Sequence, residues 1–200
     1  MDKEESDRES IRRVQAGETD AFENLILRHE KTIFNLLYHR LGDYDEAADA
    51  AQEVFLSAFR SINQFRGESR FSTWLYRIAV NHAKNRWKST AASRQRIVPL
   101  EVPDSEGDGG LLSTIPHPGL DPAQEAERGE MREQIQRGLN GLKADDAMII
   151  LLHDLQEVPY EEIARILAIP MGTVKSRLHR ARLALKERLV RENDPTRAKI

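Results

Sequence analysis

Residues 160–189 read YEEIARILAIPMGTVKSRLHRARLALKERL, and this stretch decides the fold. Glu161 to Leu167 has the pattern of a brief amphipathic helix. Ala168 to Gly172 supplies a turn containing Pro170 and Gly172, and Thr173 opens a second, longer helix. On that second helix Val174, Leu178, Ala181, Leu185 and Leu189 recur every three or four residues, so one apolar stripe faces a core. At 100° per residue Ser176, His179, Arg180 and Leu183 lie opposite that stripe with Lys175 near them, while Arg177 and Arg182 flank it.

Residues 173–191 carry seven Lys or Arg against one acid, Glu187. A basic helix face alone is usually plain solvated surface. A short helix, a tight turn and a basic amphipathic helix in succession describe a helix-turn-helix, whose second helix enters the major groove of DNA.

Working outward, 200 residues accommodate one large or two small domains, and a chain that is 40% hydrophobic can bury a core. No apolar run reaches the ~18 residues that would span a membrane, and the start, MDKEESDRES, does not resemble a signal peptide. With no cysteine the chain can form neither a disulfide nor a thiolate metal site. A cytoplasmic protein is expected. The net charge of −3 conceals segregation: residues 65–98 hold eight bases and one acid, residues 99–127 seven acids and no base. Phosphate binding depends on local charge, so two basic blocks flanking an acidic one point to two nucleic-acid contacts.

A helix is expected from Ser10 to Val14, ended by Gly17. Thr19 or Asp20 should cap the next, on which Phe22, Leu25, Ile26, His29, Ile33, Leu36 and Leu37 share a stripe. His29 there suits a satisfied core histidine better than a ligand. Gly42 breaks the pattern and Asp45 can cap a third helix, with Ala48, Ala51, Phe55, Phe59 and Ile62 inward and Glu46, Asp49, Glu53 and Arg60 outward. After the loop FRGES at 65–69, Phe71 to Lys88 reads as a helix. Trp74, Leu75, Ile78 and His82 fall on one side; Tyr76, Val80, Ala83 and Trp87 fall on the other, beside Arg77 and Lys84. Aromatic rings interleaved with Arg, Lys and Asn suit single-stranded nucleic acid, although each ring taken singly is equally well a core residue.

Residues 89–124, rich in Pro, Gly and acids, cannot fold alone and read as a tether, though Leu111, Leu112 and Ile115 offer docking points. A helix should run from Pro122 to about Leu142 with Ile135, Leu139 and Leu142 apolar, and another from Ala144 to Leu155 with Ile149, Ile150 and Leu152 in the core. No strand-like alternation appears. The expected fold is all-α: two small helical domains joined by a flexible acidic linker.

Three stretches, DAAQEVFLSAF at 49–59, FRGESRFSTWLYRIAVNHAKN at 65–85 and YEEIARILAIPMGTVKSRLHRAR at 160–182, resemble the extracytoplasmic-function RNA polymerase sigma factors, especially those of the envelope-stress type. The resemblance implies a sigma-2 domain over 1–95, a linker over 96–123, a sigma-4 domain over 124–192 and a tail over 193–200. It implies that Asp49, Gln52 and Glu53 grip the β′ clamp of core RNA polymerase. Phe65, Arg66, Ser69, Arg77, Asn81, Lys84 and Asn85 would meet the minus-10 element as it opens, and Lys175, Ser176, Arg177, His179, Arg180 and Arg182 the duplex minus-35 element. The sequence departs from the family where Asn85 replaces a frequent Asp, where His179 replaces a frequent aromatic, and where Lys143, Ala144, Asp145 and Asp146 stand in place of Leu-Pro and a nearby Arg. The last departure bears on contact with the polymerase β flap or a regulator.

By this resemblance the chain directs promoter-specific initiation and has no catalytic residue, cofactor or metal. Its partners would be core polymerase, promoter DNA in duplex and single-stranded form and an anti-sigma factor, in a stress response and with no membrane insertion. The rival from another class is a helix-turn-helix regulator that acts without stable polymerase binding. An enzyme is disfavoured because the six histidines show no ligand spacing with carboxylates and there is no Gly-rich phosphate loop.

Overall fold

A computed structural model describes residues 3–94 and 122–192, and among these every regular element is helical. The order is α1 (Lys3–Gln15), a 3₁₀ turn (Thr19–Phe22), α2 (Glu23–Leu41), α3 (Tyr44–Ser61), a second 3₁₀ turn (Ile62–Gln64) and α4 (Phe71–Arg94). It continues with α5 (Pro122–Asn140), α6 (Ala144–Ile150), a π-helical turn (Leu151–Leu155), α7 (Tyr160–Leu167) and α8 (Met171–Glu192). Residues 96–121 of the expected linker, with Leu111, Leu112 and Ile115, and the tail from 193 lie outside the described residues, as does the side chain of Trp87, while Pro122 and Ala123 already belong to α5.

In the N-terminal unit α2 lies between α3 and α4 and buries the expected stripe, with Leu25, Ile33, Leu36 and Leu37 at most 1% exposed. Each such side chain contributes roughly 1.5–3 kcal/mol relative to exposure. Helix α1 begins well before Ser10, and its early acid Asp7 has a buried role. Its carboxylate accepts from Arg28 at 2.9 Å and meets His29 Nε2 at 2.7 Å, so His29 is a satisfied core histidine. Neither Thr19 nor Asp20 caps α2, because the 3₁₀ turn runs into it with helical backbone at Phe22, leaving no extended cap residue. Gly42 ends α2 in the left-handed region at φ +82°, donating its N–H to the Tyr38 carbonyl. Asp43, not Asp45, caps α3: its backbone is extended and its carboxylate accepts the Glu46 N–H at 2.8 Å. Asp45 sits instead in the first turn, where a negative charge complements the helix dipole.

The inward face of α3 is also rotated from expectation. Ala47, Ala50, Val54 and Ala58 are fully buried, whereas Ala48 and Ala51 are half-buried and Phe59 is 39% exposed. This alanine-rich helix has two adjacent apolar stripes, and the narrower one lets its backbone approach α2 and α4 closely. Phe55 and Ile62 are buried as expected, and Phe59 packs edge-on against Phe22 at 5.1 Å.

In the C-terminal unit α5, α6 and α7 pack around α8. Leu139, Leu142, Ile149, Ile150 and Leu152 are buried as expected, but Ile135 is exposed. The helix expected from Ala144 to Leu155 changes to π winding at Leu151, which re-aims His153 and Asp154. Helix α7 buries Ile163 and Ile166 and stops at Ala168, whose left-handed backbone (φ +53°) turns the chain. The second helix starts at Met171, two residues before Thr173. The Pro170 carbonyl accepts from Thr173 and Val174, and proline's missing N–H costs nothing at a helix start.

The two units pack on each other, which the sequence does not reveal. Helix α7 lies against α4, and α5 and the π turn lie against α2. Thr73 Oγ1 donates to Glu162 at 2.6 Å, Gln136 Nε2 to the His39 carbonyl at 2.8 Å, and Tyr76 Oη to Gln156 at 3.4 Å.

Candidate nucleic-acid interface

Helix α8 sorts its side chains into two faces. Val174, Leu178 and Ala181 are at most 2% exposed, with Leu185 and Leu189 half-buried beyond them. Lys175, Ser176, His179, Arg180 and Arg182 are all exposed. These exposed positions are held by their neighbours to different degrees. Ser176 Oγ donates to the Thr173 carbonyl at 3.2 Å and Arg180 Nε to the Ser176 carbonyl at 3.3 Å, both local ties that water or a ligand replaces easily. Lys175 Nζ lies 5.6 Å from the centre of the Tyr160 ring, a cation–π contact, and that ring stacks on His153 at 4.6 Å.

The two flanking arginines differ from the ridge. Arg182 makes a two-pronged pair with Asp154, whose hydrogen bond holds the guanidinium pKa above its ordinary value. Arg177 is half-buried and faces Asp145 at 3.6 Å. Sequence reasoning noted Asp145 only as a departure from the family and did not place it, Tyr160 or Asp154 against the basic helix. Only the π turn and the packing of α6 on α8 bring them to the basic helix.

The second basic block forms a loop and a helix face. Gly67, at φ +72°, turns the loop. Arg66 is exposed there, while Phe65 and Ser69 are half-buried. The Gln15 side chain donates to the carbonyls of Ile62 and Phe65 at 2.8 and 3.0 Å and so fixes the loop's entry. Phe65 packs on Trp74 at 5.2 Å and on Phe71 at 6.0 Å. A hollow of about 640 Å³ opens beside this cluster, lined by Phe65, Arg66, Ser69, Trp74 and Arg77 and closed by Arg165 and Ile166 of α7. Arg77, Asn81 and Asn85 are exposed along α4, and Lys84 is half-buried with its ammonium 2.8 Å from Asp145.

The aromatic reading of α4 divides. Tyr76 is 7% exposed, and burial followed by the Glu162 charge pushes its hydroxyl up to about 12. It is therefore a core residue, as are Val80 and Ala83. Trp74, half-buried at the hollow, retains a partly accessible ring.

On the outer face of α3, Asp49, Gln52 and Glu53 are exposed as expected. Glu53 is not free: it pairs with Arg86 at 2.8 Å and with His82 at 3.4 Å, and chiefly the Arg86 hydrogen bond holds its carboxyl below the usual range.

A helix-turn-helix and a second basic loop and helix, with every regular element of the described residues helical, define a DNA-binding class of protein. Residues 25–93 match Sigma-70 region 2 and residues 132–185 match Sigma-70, region 4. The chain is 36% identical over 193 residues to the ECF RNA polymerase sigma-E factor of Escherichia coli, covering 94% of this chain and 97% of that one. It is 34% identical over 188 residues to the RNA polymerase sigma-H factor of Pseudomonas aeruginosa, covering 93% and 95%. Among solved structures, CnrH in complex with the cytosolic domain of CnrY matches with a TM-score of 0.67 at 20% identity over 94% of this chain and 99% of that one. The sigma factor RpoE in complex with the anti-sigma factor NepR, from Bartonella quintana, matches with a TM-score of 0.60 at 22% identity, over 86% and 98%. The chain belongs to the extracytoplasmic-function RNA polymerase sigma factors. As a sigma factor it directs promoter-specific initiation by core RNA polymerase and performs no chemistry of its own. No helix among the described residues is long and apolar enough to cross a membrane.

Proposed function

We propose that this sigma factor works in the cytoplasm in a stress response under the control of an anti-sigma factor, with a sigma-2 domain over 1–95 and a sigma-4 domain over 124–192. Lys175, Ser176, His179 and Arg180 read the minus-35 duplex, and Arg177 and Arg182 hold its phosphates. Phe65, Arg66, Ser69, Arg77, Asn81, Lys84 and Asn85 receive bases of the minus-10 element, so that unstacking is offset by contacts with the hollow beside Trp74. Asp49, Gln52 and Glu53 meet the β′ clamp.

The observation that carries this reading is the exposed ridge of α8 opposite the buried Val174, Leu178 and Ala181, in one chain with the loop and basic face of α4. The relatives' names support the stress role, and two fold neighbours were solved in complex, one with the cytosolic domain of CnrY and one with the anti-sigma factor NepR. Run-off transcription with core polymerase tests it. Transcripts should start at promoters carrying both elements and disappear when either element is scrambled. Binding of the isolated chain to DNA with no effect on core polymerase would favour the rival regulator.

A further inference from the structure

We propose that Asp145 is a shared counter-ion that locks the free chain closed, holding Lys84 of the minus-10 helix and Arg177 of the recognition helix on one carboxylate. One oxygen lies 2.8 Å from Lys84 Nζ and the other 3.6 Å from Arg177 Nη1. The three side chains are between 30% and 46% exposed, at the mouth of a cleft of about 700 Å³ between the two units. Lys143 and Arg180 also line this cleft, so its cations outnumber Asp145 and Asp146 and repel one another when the acid is removed. A second carboxylate acts in the same sense near the start of α4: Glu162 of α7 accepts from Thr73 at 2.6 Å and faces Arg70 at 3.6 Å.

With the DNA contacts proposed above, the two basic faces must reach separate promoter elements. The minus-10 and minus-35 elements lie about 25 base pairs apart, or about 85 Å along duplex DNA at ~3.4 Å per pair. Side chains that share one carboxylate cannot meet both elements together. The closed chain therefore engages at most one of them, and the pair around Asp145 must break before both are bound. Exposed ion pairs contribute little each, so this lock is weak enough for a polyanion or core polymerase to open. It also gives a physical role to the acid that stands where the family resemblance leads one to expect Leu-Pro and Arg.

The test uses the full chain, whose lack of cysteine permits a dye pair at two added thiols. Arg60→Cys on α3 and Lys186→Cys on α8 are both exposed. Energy transfer should be high at low salt and fall as salt rises. Only the Lys84–Asp145 pair joins the two units, since Asp145 and Arg177 lie in the same unit, so Asp145→Asn should shift the closed-to-open ratio toward open by up to about fivefold at low salt, the range expected for losing one exposed pair. Asp146→Asn, on the same turn, should change transfer little. Lys84→Gln should open the chain like Asp145→Asn, which guards against misfolding of a single variant; circular dichroism should be unchanged for all three. Transfer that stays as high in Asp145→Asn as in the parent across the salt series, or a parent with low transfer throughout, overturns the lock. A run-off assay is performed alongside: failure of the parent to transcribe with core would overturn the sigma-factor contacts, while the transfer data still judge the lock.

Discussion

Arg180→Ala and Arg182→Ala should separate reading from anchoring on α8. Arg180 is exposed, and its described tie is a 3.3 Å bond to a carbonyl one turn back. Alanine is at least as good a helix former, so folding stability should change by less than about 0.5 kcal/mol. The whole effect then falls on DNA: about 1–3 kcal/mol at the preferred minus-35 sequence, or about 5- to 150-fold, and less at variants that already lack the contacted base. Arg182 starts from a different position because Asp154 already holds it. A phosphate must displace that partner, and the pair, with side chains 51% and 34% exposed, opposes binding by only about 0.2–1 kcal/mol. Arg182→Ala should therefore weaken all promoters by one factor and reduce the salt dependence of binding by about one ion. Asp154→Asn should strengthen all of them slightly, by up to about fivefold. The assay is transcription from a library of minus-35 variants with holoenzyme, paired with salt titrations of DNA binding. If Arg180→Ala scales every promoter equally while Arg182→Ala reorders them, the helix has been placed in the groove with the wrong rotation and the two roles exchange.

Asp49→Lys should weaken co-purification with core polymerase without unfolding the N-terminal unit, since the residue is exposed; it is a cleaner probe than Glu53→Lys, which would also set a lysine against Arg86. Ile163→Ala removes a fully buried side chain from α7 and should cost about 2–5 kcal/mol in chemical denaturation, with loss of minus-35-dependent transcription first. Tyr76 is protonated in both folded and unfolded chains below its ordinary value, so its contribution is intact there. As pH rises toward about 12 only the unfolded chain ionises freely, and stability should fall by roughly 2–3 kcal/mol. Denaturation midpoints between pH 9 and 12 should show this decline, and Tyr76→Phe should flatten it.

The helices and the basic ridge of α8 were legible because both depend on spacing within one helix: the burial of Val174, Leu178 and Ala181 determines where Lys175 and Arg180 point. Misplaced features depended on choices between near-equals. Asp43 and Asp45 are both acceptable caps, and an extended backbone at the first decided between them. On α3 two apolar stripes lie side by side, and only the presence of α2 and α4 selects the alanine-rich one. Tyr76 looked available for stacking because its partners, Gln156 and Glu162, come from eighty or more residues away. The same applies to Asp145 and Asp154. Their neighbours are set by how units pack and by one π-helical turn, neither of which leaves a periodic trace in the sequence.

The bonds from Gln15 to the carbonyls of Ile62 and Phe65 join residues 47 and 50 positions apart. During synthesis the amide of Gln15 therefore waits in water while that much more chain is made, and Ile11 and Val14 wait beside it for the surface they will finally cover. A nascent chain halted before residue 65 would leave the ribosome with a sticky amphipathic N-terminal helix and no seat for it, a form open to capture by chaperones or to aggregation. The loop whose entry is pinned by Gln15 is thus among the last parts of the N-terminal unit to be fixed in place.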